Sequence, residues 1–181
     1  MSDCPHREAP ILIRPIDAGD SERLRDSHDR LSPETRYRRF LAVKPHLTAA
    51  DVRYLVEIDG SSHVALVATL PDADGAPIVG VARFIRIPDE PEVAEVAIVV
   101  DDALQRRGVG TELLARLAEE AVARGVHRFR ATMLADNVAV HRLFEALSDG
   151  PVDRRRLGEI SEMEFPLPAT AAAGDPAALA A

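Results

Sequence analysis

A chain of 181 residues is the size of one domain, and its 46% hydrophobic content is enough to fill a core. The formal net charge of -8 argues against general nucleic-acid binding, which needs a basic face to neutralise phosphates. Cys4 is the only cysteine, which excludes an intramolecular disulfide and a cysteine-built metal site.

The six histidines (His6, His28, His46, His63, His127 and His141) show no ligand spacing, and no H-E-x-x-H occurs, so no metal is expected. With no Trp, two Tyr and five Phe, the core must rest mainly on Val, Leu, Ile and Ala. The opening residues lack a basic segment followed by an apolar one, so no signal peptide is expected. No apolar stretch approaches the roughly 18–20 residues of a membrane span. A cytoplasmic protein without membrane association is the expectation.

In chain order, residues 1–9 form an expected flexible arm, and a domain follows over 10–168. Ile11–Ile16 reads as a strand closed by the turn-like Asp17-Ala-Gly-Asp20. Leu24 and Leu31 share one face of a polar helix over Ser21–Leu31. Ser32-Pro33 restarts a helix, with Ser at the N-cap and Pro at the first helical position. Thr48-Ala-Ala-Asp51 has capping-box form and opens a third short helix through Val52, Leu55 and Val56.

After Gly60 the pattern turns to strand. His63–Leu70 and Pro77–Ile87 are β-rich and antiparallel across Pro71-Asp-Ala-Asp-Gly75, and Glu92–Val100 follows a turn at Pro88–Pro91. Val109, Leu113, Leu114, Leu117, Ala121 and Val122 recur at helical spacing, and Gly125 closes that helix. Val126–Leu134 is a strand. Asp136 or Asn137 caps a helix whose Val140, Leu143, Phe144 and Leu147 share a face. Val152–Leu157 and Ile160–Leu167 make a hairpin around Gly158, and the Ala/Pro/Gly-rich tail 169–181 is expected to be disordered. The order β-ααα-βββ-α-β-α-ββ describes an α/β fold, a mixed sheet with helices on both faces.

The chemistry concentrates at Gln105-Arg-Arg-Gly-Val-Gly110, between a strand and a long helix. A helix start offers unpaired N–H groups and the positive end of the macrodipole, which together bind an anion. Gly108 and Gly110 let a phosphate approach the backbone, and Arg106 and Arg107 add positive charge. A dinucleotide fingerprint fails, because Leu113 stands where its third glycine belongs, and no P-loop lysine follows. Taken alone, two glycines at an ordinary strand-to-helix turn would read the same way.

Gln105-Arg-Arg-Gly-Val-Gly110 resembles the Q/R-x-x-G-x-G/A motif of the GNAT acetyltransferases, and the element order from about Ile11 to Leu167 fits that family. The resemblance implies the GNAT fold, with a mixed, mostly antiparallel sheet. It also implies acetyl-CoA as co-substrate and no metal. The loop amides would bind the CoA pyrophosphate, and Ile98, Val99 and Val100 would pair with the pantetheine arm as another strand would. Carried over residue by residue, Gln105, Arg106, Arg107, Gly108, Val109, Gly110 and Thr111 bind the donor. Asn137, in Asp136-Asn-Val-Ala-Val-His-Arg-Leu-Phe144, resembles the family's N-x-x-x-x-x-L-[YF] segment and would lie near the CoA.

Glu95 sets a carboxylate in the apolar row of Val93, Ala97 and Val99. The plain alternative is a strand-end Glu reaching solvent or pairing with Arg83 or Arg86. The functional reading is a general base: the nucleophile must be a neutral amine, and a lysine of pKa ~10.4 is only about 0.04% neutral at pH 7. Many GNAT enzymes place a Glu here, in a context like Ala94-Glu-Val96. Where the family often has a Tyr to protonate the CoA thiolate, this chain has Phe144; Tyr37 and Tyr54 are the other phenols, with nothing to place them there.

Ile13-Arg-Pro-Ile16, Leu31-Ser-Pro-Glu-Thr-Arg-Tyr-Arg-Arg-Phe40 and Ala65-Leu-Val-Ala68 resemble the acetyltransferase domain of bacterial protein-lysine acetyltransferases, which act on acyl-CoA synthetases and related proteins. The resemblance implies a protein lysine as acceptor, with a small amine (an amino acid or a polyamine) as the alternative. A non-catalytic acyl-CoA-binding module is the rival from another class. The fused regulatory domain of some relatives is not expected here. Arg36, Arg38 and Arg39 either dock an acidic partner or form a solvated helix face, and Arg154-Arg-Arg156 reads as solvated. Oligomeric state is not legible.

Overall fold

The computed structural model describes residues 11–71 and 75–169. The arm expected over 1–9, the tail over 170–181 and the centre of the Pro71–Gly75 loop lie outside the described residues. The observed order follows the expected one. β1 (Leu12–Pro15) leads through a 3₁₀ turn to α1 (Ser21–Arg30), α2 (Pro33–Phe40) and α3 (Ala49–Val56). Next come β2 (His63–Thr69), β3 (Ile78–Ile87), β4 (Glu90–Val100), α4 (Val109–Val122), β5 (Arg128–Leu134), α5 (Val138–Leu147), β6 (Asp153–Leu157) and β7 (Ile160–Pro166).

The helix boundaries have local causes. Ser32 accepts a hydrogen bond from the Thr35 N–H ahead of Pro33, and Thr48 forms a reciprocal capping box with Asp51. β4 begins two residues earlier than the apolar pattern indicates, because Glu90 already pairs with Ile87 across the Pro88-Asp89 turn.

The sheet runs β1-β2-β3-β4-β5-β7-β6, and β4–β5 is the one parallel pair among the described residues. Two cores lie on its two faces. Leu24, Val52, Leu55 and Val56 cover Ala65, Val67 and Val81 on one. Leu113, Leu114, Leu117 and Phe144 cover Leu66, Ala82, Phe84, Phe129 and Phe165 on the other. Ala68 pairs with Gly80 but Thr69 with Ile78, so Val79 is one extra residue that changes which face the following side chains meet. α4 sits close on β3 at Gly80, where a Cβ would lie 2.9 Å from Leu113 Cδ1. No helix among the described residues is long and apolar enough to cross a membrane.

Candidate active site

The site begins where the sheet comes apart. β4 and β5 pair only over Val93–Ala94–Glu95 and Arg128–Phe129–Arg130, yet β4 continues to Val100 and β5 to Leu134. Val96–Val100 stay paired to β3 on their other side, from Phe84↔Val96 to Gly80↔Val100. Their backbone groups toward β5 therefore face a gap, and a strand edge of this kind takes an extended ligand by main-chain hydrogen bonds.

A cavity of about 570 Å³ fills that gap. Ile98, Val99, Val100, Gln105, Arg106, Gly108, Gly110, Thr111 and Asn137 all line it, bringing together most of the expected donor-binding residues. Arg107 and Val109 do not line it. The Val109 side chain is buried in the core at 2% exposure, because it starts the apolar stripe of α4, and only its backbone stays at the helix start. Arg107 is exposed, off the cavity wall.

The α4 start is shaped for an anion. Its N-cap, Gly108, provides no side-chain cap, and the first intrahelical bond of the turn is Glu112 N–H to the Gly108 carbonyl at 3.0 Å. The N–H groups of Val109, Gly110 and Thr111 thus have no acceptor among the described residues. Gly108 sits at φ 82° and Arg106 at φ 60°, so the chain turns sharply through left-handed conformations before the helix. A Cβ on Gly108 would meet nothing within 4 Å, which leaves that space open to a ligand. Such a site fits a pyrophosphate.

Asn137 caps α5, its Oδ1 accepting from the Val140 N–H at 3.5 Å, while its side chain borders the cavity. Phe144 also borders it, 2% exposed and tilted against Phe165 with ring centroids 5.4 Å apart. Neither tyrosine lines this cavity.

A second cavity, of about 360 Å³, opens on the α1–α3 face. Glu95 lines it with Arg39, Tyr54, Asp51, Arg83 and Arg130. The two cavities share Arg39, Val96, Ala97 and Thr132 as walls. Glu95 is exposed, and neither arginine of the plain alternative pairs with it. Arg86 donates to the carbonyls of Pro91 and Arg124, and Arg83 to the Leu55 carbonyl and His63. Arg130 is held by Glu90 and Glu164, at 2.9 and 2.7 Å, where it ties β4, β5 and β7 together.

The three arginines of the Arg36–Arg39 cluster take different places. Arg36 donates to the carbonyls of Leu31, Pro45 and Asp29, at 3.0, 2.6 and 3.0 Å, and so fastens α2 to its flanking loops. Arg38 pairs with Glu34 at 2.7 Å and, with Arg39 and Thr35, lines the first cavity. Sequence reasoning missed this because α2 packs across β4 and β5 only in the folded chain. It also missed Arg83, although a lone cation in the apolar run Ile78–Ile85 is the same kind of signal as Glu95.

The profile of the Acetyltransferase (GNAT) family matches residues 24–148. The chain belongs to this family. It is 39% identical over 139 residues to acetyltransferase Pat of Mycolicibacterium smegmatis, covering 76% of this chain and 40% of Pat. It is 31% identical over 137 residues to acetyltransferase PA5475 of Pseudomonas aeruginosa, covering 76% and 73% of the two chains. The crystal structure of the GNAT domain of S. lividans PAT superposes with a TM-score of 0.76 at 31% identity, over 91% of this chain and all of that one. The expected seven-stranded GNAT architecture is thus the observed one.

Proposed function

We propose that this chain is a cytoplasmic N-acetyltransferase that moves an acetyl group from acetyl-CoA to a lysine side chain of a protein, such as an acyl-CoA synthetase, by direct transfer. The observation that carries this reading is the meeting of the two cavities at Val96, Ala97, Thr132 and Arg39. The larger, with its helix N-terminus and open strand edge, suits a long phosphate-bearing donor. The smaller, with Glu95, suits an amine.

In this reading Gly108–Thr111 hold the pyrophosphate, and the edge of Val96–Val100 aligns the pantetheine arm. Glu95 accepts the proton that the amine loses. The amine nitrogen bonds to the thioester carbon, the carbon–sulfur bond breaks, and the thiolate leaves with the electron pair. A thiolate of pKa ~8.5 is a fair leaving group without an acid, so Phe144 is compatible with turnover. Likeness to Pat and to the S. lividans PAT domain supports a protein acceptor. Contacts remote from the lysine would then supply binding energy that a free amine lacks.

The test is CoA release from acetyl-CoA with a purified acyl-CoA synthetase, a lysine peptide and a panel of amino acids and polyamines. Catalytic efficiency should be highest for the synthetase. A small amine winning by tenfold or more would overturn the protein-acceptor reading, and no release with any acceptor would favour an acyl-CoA-binding module.

A further inference from the structure

Arg83 is 4% exposed, in the middle of β3, on the sheet face that carries Glu95. A guanidinium taken out of water normally faces a carboxylate, because only an opposite charge and filled donors offset its desolvation. Arg83 has neither. Both of its hydrogen bonds come from Nη1, to the Leu55 carbonyl at 3.3 Å and to Nε2 of His63 at 3.0 Å. Its Nε is buried without a partner. His63 brings no negative charge: burial first, and the Arg83 charge second, hold its pKa down to about 4.

Arg39, in the last turn of α2, is a second cation on the same cavity. Its guanidinium carbon lies 4.9 Å from the Phe40 ring centroid, and no ion pair among the described residues engages it. Burial lowers Arg39 to about 10, and burial together with the Arg39 charge lowers Arg83 to about 9, so both stay protonated at neutral pH. The other charges around the cavity are matched. Lys44 meets Asp51 at 2.8 Å, and Arg130 meets Glu90 and Glu164. What remains is two unanswered cations and one unanswered carboxylate, Glu95.

These three groups line one cavity. Ile85 pairs with Glu95 and Arg83 with Ala97, so Arg83 and Glu95 are diagonal neighbours on one face, a relation that sets Cα atoms roughly 7–8 Å apart. An acceptor that fills this cavity meets a carboxylate and two guanidinium groups at once. CoA phosphates do not account for Arg83, which lines the smaller cavity and not the donor groove.

We propose that Arg83 and Arg39 form a receptor for a carboxylate carried by the acceptor beside its reactive amine. The inference rests on the proposed role of this cavity as the acceptor site. The carboxylate has two chemical sources: an acidic side chain flanking the target lysine of a protein, or the α-carboxylate of a free amino acid. Either would take bidentate hydrogen bonds from a guanidinium fork and fill the orphaned Nε.

The test titrates the CoA-saturated protein by calorimetry with two matched probe pairs. One pair is a lysine peptide flanked by Glu and its Gln counterpart; the other is free lysine and lysinamide. In one pair the carboxylate form should bind at least tenfold tighter, and which pair does so identifies the source. Arg83→Gln and Arg39→Gln should each reduce that preference to less than threefold. Where Arg83→Gln fails to fold, Arg39→Gln, on a partly exposed helix turn, carries the test. Equal binding within both pairs, or a preference that survives Arg39→Gln, overturns the proposal. Binding is read without turnover, so it separates the two readings. A carboxylate preference without acetyl transfer would sink only the enzyme reading, and transfer to charged and neutral acceptors alike would sink only this one.

Discussion

Asp102 holds Ser32, seventy positions earlier in the chain, by two hydrogen bonds: Oδ2 accepts the Ser32 N–H at 2.9 Å and Oδ1 the Ser32 hydroxyl at 3.1 Å. Thr35 adds its own hydroxyl to Oδ1 at 2.6 Å. The start of α2, which brings Arg38 and Arg39 to the cleft, is thereby pinned to the segment that leads into the Gln105–Gly110 loop. Asp102→Ala should cost about 1–2 kcal/mol of stability through the lost charge-assisted bonds. It should also raise the Michaelis constants for acetyl-CoA and for the acceptor together, because α2 walls both cavities. Steady-state kinetics over both substrates check this; an effect confined to one of them would mean that the link is local.

Gly108→Val should weaken acetyl-CoA binding by several kcal/mol. Its φ of 82° strains any β-branched side chain, and the space that a Cβ would enter is empty of protein atoms, so the variant both distorts the loop and fills the space proposed for the phosphate. Calorimetry with acetyl-CoA decides the matter. Donor affinity equal to that of the parent would mean that the anion site lies elsewhere.

Glu95→Gln should leave acetyl-CoA binding intact and lower turnover by roughly a hundredfold or more, the usual worth of a general base. Glu95 makes no ion pair among the described residues, so its replacement should hardly change the melting temperature. Unchanged turnover would remove Glu95 from the mechanism.

His63 predicts a pH-dependent stability. Its folded pKa, about 4, lies below the ordinary 6.5, so the unfolded chain binds more protons between these values. The stabilisation is therefore complete above pH 6.5 and is lost as the pH falls from 6.5 through 4. With solvent screening of the partly exposed ring counted, the loss should be roughly 1–2 kcal/mol. His63→Gln should flatten that part of the curve of melting temperature against pH, while the parent keeps its slope.

Most of the fold was legible because its punctuation is local. Ser32-Pro33, Thr48 with Asp51, and Gly125 at φ 78° mark helix ends through chemistry that needs no distant partner. The helix start proposed to hold an anion was legible for the same reason, since Gly108 and the three amides after it belong to one short segment. The end of β4–β5 pairing at Glu95 was not, because nothing in the residues Val96–Val100 says which neighbour a strand edge lacks. The fate of Arg36 was equally hidden, as its three carbonyl acceptors come from Asp29, Leu31 and Pro45 after folding. Charge alone made Arg36 look like its neighbours Arg38 and Arg39.

Gly80 turns the spacing of the cleft between β4 and α4 into a matter of side-chain volume. It pairs with Val100, at the end of the strand edge that faces the cleft, and it lies under Leu113 and Val109 in the first turns of α4. A single methyl group there would be a shim under the helix, tilting the row of N–H groups away from the strand while touching neither. Donor affinity should thus respond to Gly80→Ala although residue 80 borders neither cavity, and a compensating Leu113→Val should restore it. The ruler by which this protein measures its ligand is built into the floor of the core.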